Sequence, residues 1–90
     1  MSAAKFPMGR LLSTPNALAQ LAHDDILTAL SRHVRGDWGD CCPDDQAAND
    51  SALSEGSRLF SVFHAANGTK FWVITEWDRS VTTVLLPEDY

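Results

Sequence analysis

The spacing of apolar residues changes character roughly two thirds of the way along the chain. As far as Gly56 apolar positions recur at helical intervals, and from Arg58 onward they gather in short β-branched and aromatic runs. Thr14 before Pro15 is a helix start, because the hydroxyl can accept a free backbone N–H and proline needs no donor at the first helical position. Leu18, Leu21 and Ala22 then share a face. After a pause at His23, Asp24 is a second N-cap, with Ile26, Leu27, Leu30 and Val34 as the buried stripe and Gly36 as the end. Pro43 with Asp44 and Asp45 opens a short third helix that stops at Gly56. Strands are predicted at 58–64, 70–76 and 81–86, with Pro87 closing the last. The fold class expected is α+β, two to three N-terminal helices packed on a three-stranded antiparallel β-meander. Residues 1–13 form a flexible N-terminal arm, and residues 14–90 a single α+β domain.

Asn67-Gly68 is a strong hairpin signal, since both residues tolerate positive φ. As a two-residue loop it sets Phe63 opposite Trp72, Val62 opposite Val73 and Phe60 opposite Thr75, and a second turn at Asp78 and Arg79 sets Glu76 opposite Val81. One face then carries Phe60, Val62, Phe71, Val73, Val84 and Leu86 and packs on the helices. The other carries Leu59, Phe63, Trp72, Ile74 and Leu85, and is either covered by the arm or presented to a partner.

Composition narrows the classes. The chain has 90 residues, 44% of them hydrophobic, enough for one small domain. Twelve acidic against seven basic residues give a net charge of -5, which disfavours direct DNA binding and favours a protein partner with a basic surface, including one that normally holds nucleic acid. Cys41 and Cys42 are adjacent, so a disulfide between them is strained, and no spaced Cys and His partners suggest zinc. No cofactor or metal is expected. The first residues hold no apolar stretch of signal-peptide length, and nothing resembles a membrane span; a cytoplasmic protein is the expectation. A homodimer through a sheet edge, in particular the 81–86 strand, is a further one.

Polar candidates cluster in the segment Arg32 to Asp40, RHVRGDWGD. In a structural role His33 complements a helix end, Trp38 anchors the core, and Asp37 and Asp40 make turn hydrogen bonds. In a functional role His33 and Asp37 converge with Arg58, Glu76 and Arg79 on one rim. A carboxylate, an imidazole and guanidiniums are the parts of metal-independent RNA cleavage. The helices-then-sheet order is also similar to that of barnase and RelE-like toxins, an analogy of fold alone, and what that resemblance implies is Glu76 as base, Arg58 and Arg79 holding the phosphate, and His33 or His64 as acid.

The runs HVRGDWGD (His33 to Asp40) and ITEWDRSVTT (Ile74 to Thr83), with LLPEDY at the end, resemble a family of small uncharacterised bacterial proteins associated with plasmids, phages and other mobile elements. The similarity covers about Thr14 to Tyr90, and Trp77 stands where a small residue is more usual in that family. No activity comes with the resemblance. The genetic setting it implies is one in which small acidic proteins disable host defences. The first functional expectation is therefore a non-enzymatic interaction protein, an inhibitor of a host defence nuclease complex in the manner of anti-CRISPR proteins, with Trp72, Trp77, Asp78, Arg79, Asp37 and Trp38 as its contacts. The alternative is the ribonuclease.

Overall fold

A computed structural model of the chain describes residues 4–90. It is α+β, as the pattern predicts, with three helices and a sheet of four strands instead of three. In chain order the elements are β1 (Arg10–Ser13), α1 (Pro15–Gln20), α2 (His23–Val34), α3 (Pro43–Glu55), β2 (Leu59–His64), β3 (Lys70–Thr75) and β4 (Val81–Leu85), followed by a 3-10 turn at Pro87–Asp89. The sheet order is β1-β4-β3-β2, antiparallel except that β1 runs parallel to β4. The sheet is thus mixed, and the expected meander is its β2-β3-β4 part.

The helix signals act as predicted. The Thr14 side chain accepts the Ala17 amide at 3.1 Å, proline opens both α1 and α3, and Gly56 closes α3 in the left-handed conformation. The exception is α2, which begins at His23 with Ala22 as its cap; Asp24 and Asp25 fall inside its first turn, where they still complement the helix dipole.

The segment expected to be a loose arm contains the extra strand. Lys5 donates its amide to the Val34 carbonyl at 2.8 Å, Phe6 is buried, and Arg10 to Ser13 pair with Val81 to Val84. A four-residue parallel partner leaves no alternation long enough to read, which is why the pattern misses it. Residues 1–3 of the arm lie outside the described residues.

The β2–β3 register differs by one residue from the expected one. Phe63 faces Phe71, Val62 faces Trp72 and Phe60 faces Ile74. The loop closes at Ala65 and Thr69, where the Ala65 amide donates to the Thr69 carbonyl at 2.8 Å, so three residues make the turn, with Gly68 at φ 89°. A one-residue slip turns β2 over relative to β3. The β3–β4 pairing stands as predicted, with the Glu76 amide donating to the Val81 carbonyl. The helix-side face therefore carries Leu59, Ser61, Phe63, Phe71, Val73, Thr75, Thr82 and Val84, every one buried. On it α1 and α2 lay Ala17, Leu21, Ile26, Ala29 and Leu30. Phe60, Val62, His64, Trp72, Ile74, Thr83 and Leu85 make the opposite face.

Each outer strand is treated differently. Along β2 the outward backbone groups of Phe60 and Val62 are occupied: Asn49 on α3 both donates to the Phe60 carbonyl (2.7 Å) and accepts its amide (3.0 Å), and Val62 bonds to Trp38 and Asp40. Gly39, at φ 71°, permits that approach, because a Cβ there would collide with the Val62 carbonyl. Among the described residues the outer edge of β1 has no such cover. The 81–86 strand, expected as a pairing edge, lies inside the sheet between β1 and β3.

Candidate functional site

On the second side of the sheet Val62, Ile74 and Leu85 are buried, and Ala52 and Leu53 of α3 join the apolar cluster of Val62, Phe60 and Trp72 along β2, whereas Phe60 and Trp72 themselves are only half-buried. Strand alternation aims Phe60 and Trp72 outward there, and their rings meet edge to face at 4.9 Å. The 3-10 turn at Pro87–Asp89 brings Tyr90 back over this face, 5.7 Å from Trp72. Arg58, just before β2, holds Tyr90 twice: its Nη1 donates to the phenol oxygen at 2.9 Å, and its guanidinium lies 5.6 Å from the ring centre. Between these rings and α3 is an open hollow of about 250 Å³ lined by Asp45, Arg58, Phe60, Trp72, Ile74 and Tyr90. Asp45 is exposed and makes no ion pair or hydrogen bond among the described residues. The hollow thus offers aromatic edges, a fixed guanidinium and an uncompensated carboxylate.

The polar candidates of the other face form a closed chain in the core. His33 Nδ1 lies 2.5 Å from Ser61 Oγ and Nε2 2.9 Å from Thr75 Oγ1; Thr75 is 2.7 Å from Thr82 Oγ1, which donates to the Met8 carbonyl at 2.7 Å. The proton directions follow from that end. Thr82 spends its proton on Met8, so Thr75 must donate to Thr82 and accept from His33 Nε2–H, and Nδ1 is left to accept from Ser61. Neutral His33 satisfies every member, and no buried side-chain N or O lacks a partner among the described residues. Burial, assisted by the Arg79 charge, lowers the His33 pKa to about 4. Phe6 and Trp38 enclose the ring edge-on at 5.3 and 5.6 Å. His33, Ser61 and Thr75 are shut off from solvent, so the chain organises the core and cannot touch a substrate in this conformation.

The remaining candidates scatter. Arg79, at φ 61°, directs its guanidinium to the carbonyls of Ala52, Ser57, Glu76 and Trp77 and lies over Phe6, tying the β3–β4 turn to the end of α3. Arg58 serves Tyr90. His64 pairs with Asp40 at 2.9 Å at the far end of β2 from Arg58, about 20 Å along the strand. Glu76 has no side-chain partner among these groups. The common rim expected for RNA cleavage is therefore not assembled: His33 is inside, Arg79 is committed to carbonyls, and Arg58 and His64 are at opposite ends.

Of the expected contact residues, Trp72 lies half-buried in the aromatic hollow, and Trp77 is 67% exposed on the β3–β4 turn with Asp78, whose carboxylate bonds Ser80. Trp38 is core, its indole donating to Asp50 at 2.9 Å, as the structural reading of that segment has it. Asp37 accepts from Arg32 at 2.7 Å and from the Gly39 amide, which keeps its pKa below the ordinary carboxylate value. Phe60, Tyr90 and Asp45 belong to the hollow without having been singled out. The corrected register is the signal that would have placed Phe60 beside Trp72.

Cys41 is buried, which raises its thiol pKa, and Cys42 is exposed; both are free. Among the described residues no His, Cys, Asp and Glu group could hold a metal, and no helix is long and apolar enough to cross a membrane. No protein-family model, no curated protein and no solved structure matches the chain.

Proposed function

We propose that this is a non-enzymatic interaction protein of a mobile genetic element, which binds and inhibits a host nucleic-acid-handling nuclease complex through the open side of its sheet. The observation that carries the reading is the ladder Phe60–Trp72–Tyr90, half-buried to exposed beside α3 and braced by Arg58. Rigid aromatic side chains with a polar margin are the groups that dominate binding energy at protein interfaces. A lysine or arginine from the partner fits the hollow, with its charge between the Trp72 ring and the Asp45 carboxylate. A basic partner surface also suits the chain's charge of -5, which accelerates encounter. Trp77 on the neighbouring turn supplies a second anchor. The mobile-element setting rests on the resemblance carried by His33 to Asp40 and Ile74 to Thr83.

Capture from host lysate on immobilised protein tests this. The captured partner should be lost with Asp45→Lys and with Trp72→Ala, yet kept with Asp24→Lys, which makes the same charge change on the far side at α2. Retention by both hollow variants, or equal loss with Asp24→Lys, would sink the reading.

A further inference from the structure

The outer edge of β1 carries its own recognition chemistry. Arg10 and Thr14 donate their amides inward to Ser80 and Val84, so by strand alternation Leu12 also faces β4, while the amides and carbonyls of Leu11 and Ser13 point out of the sheet. Exposed leucines surround that edge: Leu11 at 54%, Leu12 at 43%, Leu18 at 61% and Leu27 at 51%. With Ile26, Leu30 and Val84 they line an apolar groove of about 280 Å³ on the helix side. An open edge with an apolar flank is what folded proteins normally hide, and the β2 edge here is covered at Phe60 and Val62.

We infer that β1 pairs antiparallel with β1 of a second copy, giving a two-fold dimer with one continuous eight-stranded sheet. The edge is self-complementary in only a few registers. Hydrogen-bonded antiparallel pairs need outward groups on both strands, so Leu11 and Ser13 must pair with each other or with themselves. Centring the axis on Leu12 uses all of them: Leu11 pairs with Ser13 of the second copy on both sides of the axis, and Leu12 meets Leu12 as the close, non-hydrogen-bonded pair. Opposed residues share a face, so this parity puts the helix layers of both copies on the same side, where the Leu11, Leu18 and Leu27 groups meet across the axis. The charges agree as well. Arg10 makes no ion pair among the described residues, and the same register sets it opposite Thr14 of the second copy, whose hydroxyl holds Asp89 at 2.6 Å. A peptide strand from another protein would satisfy the backbone but not this reciprocal match.

Sedimentation and light scattering on the full chain test the dimer. The wild type should show twice the 9.9 kDa chain mass. Leu12→Lys sets two ammonium groups face to face at the axis and should raise the dissociation constant roughly tenfold or more. Should that variant fold poorly, Leu12→Cys in a Cys42→Ser background should cross-link to a dimer on mild oxidation, while Ser54→Cys in the same background, exposed on α3 beside the opposite edge of the sheet, should cross-link far less. A wild type that stays monomeric up to roughly 1 mM, a dimer indifferent to Leu12→Lys, or cross-linking no better at position 12 than at 54 would each overturn the inference.

Discussion

The two faces of the sheet each carry a group that simple polar-outside, apolar-inside sorting would put on the other. The helix-covered face buries Ser61, Thr75 and Thr82 with a histidine, whereas the open face displays Phe60 and Trp72. Polarity therefore does not locate a site in this molecule; cover does. A hydroxyl chain on the covered face can be sealed because each member has one donor and one acceptor to match. On the open face aromatic bulk stays accessible because α3 is spent on closing the β2 edge and reaches no further across the sheet. Substitutions on the two faces should therefore differ in kind: those on the covered face cost stability, and those on the open face cost binding.

The largest effect is expected at His33. Exchange for leucine strands the Ser61 hydroxyl without its acceptor in a closed core, and should lower unfolding free energy by about 3 kcal/mol in a denaturant titration. The pH dependence shares this origin. The folded chain holds His33 at a pKa of about 4 against 6.5 in the unfolded chain, so the unfolded state takes up a proton first as pH falls. The contribution is whole above pH 6.5, declines through the interval, and is gone below about pH 4, a total on the order of 3 kcal/mol. Asp37, Asp78 and Asp89, whose pKa values are lowered, keep their contributions through most of that window, begin to lose them only as pH nears the ordinary carboxylate value at its lower end, and give them up as pH falls further. A wild type with a flat stability profile from pH 6.5 to 4, or a leucine variant that retains the slope, would break the assignment of a neutral buried ring.

An intermediate effect is expected at the β2 edge, where the contrast with β1 can be removed. Asn49→Ala takes away both bonds to the Phe60 backbone and should cost about 1–2 kcal/mol. It also gives the sheet a second bare edge, so the variant should form higher assemblies at concentrations where the wild type does not. Unchanged assembly would mean that Trp38 to Asp40 alone suffice to close that edge.

Much of this architecture is legible from residue types, and the parts that are not have identifiable causes. Thr14, Pro15, Pro43 and Gly56 mark helix ends by local chemistry, and local chemistry survives into the fold. Phe71, Val73 and Val84 fall on the helix side as expected because the β3–β4 turn length is read correctly. The β2 face is misread because a loop of three residues and one of two share the same Asn-Gly signature, yet differ by one residue in register. β1 escapes because its partner is parallel and distant in sequence. His33 misleads for a further reason: a histidine beside aspartates and arginines has the same composition whether it faces solvent or, as here, turns inward onto hydroxyls contributed by residues 28 and 42 positions away.

The smallest stability effect, and the sharpest separation of the two faces, is expected at Trp77. Its ring is 67% exposed and has no aromatic or hydrogen-bonding partner among the described residues, while the turn beneath it is held by the Arg79 guanidinium and by Asp78 on Ser80. Truncation to alanine leaves those bonds in place, so the unfolding free energy should move by less than about 0.5 kcal/mol. An exposed indole that adds nothing to stability is retained for contact or for nothing at all. Partner capture by Trp77→Ala decides between the two: lost capture with an unchanged denaturation midpoint extends the working surface from the hollow to the turn, and full capture confines it to Phe60, Trp72 and Tyr90. A midpoint that falls as far as that of His33→Leu would instead abolish the division of labour between the faces, because the turn would then belong to the folding core.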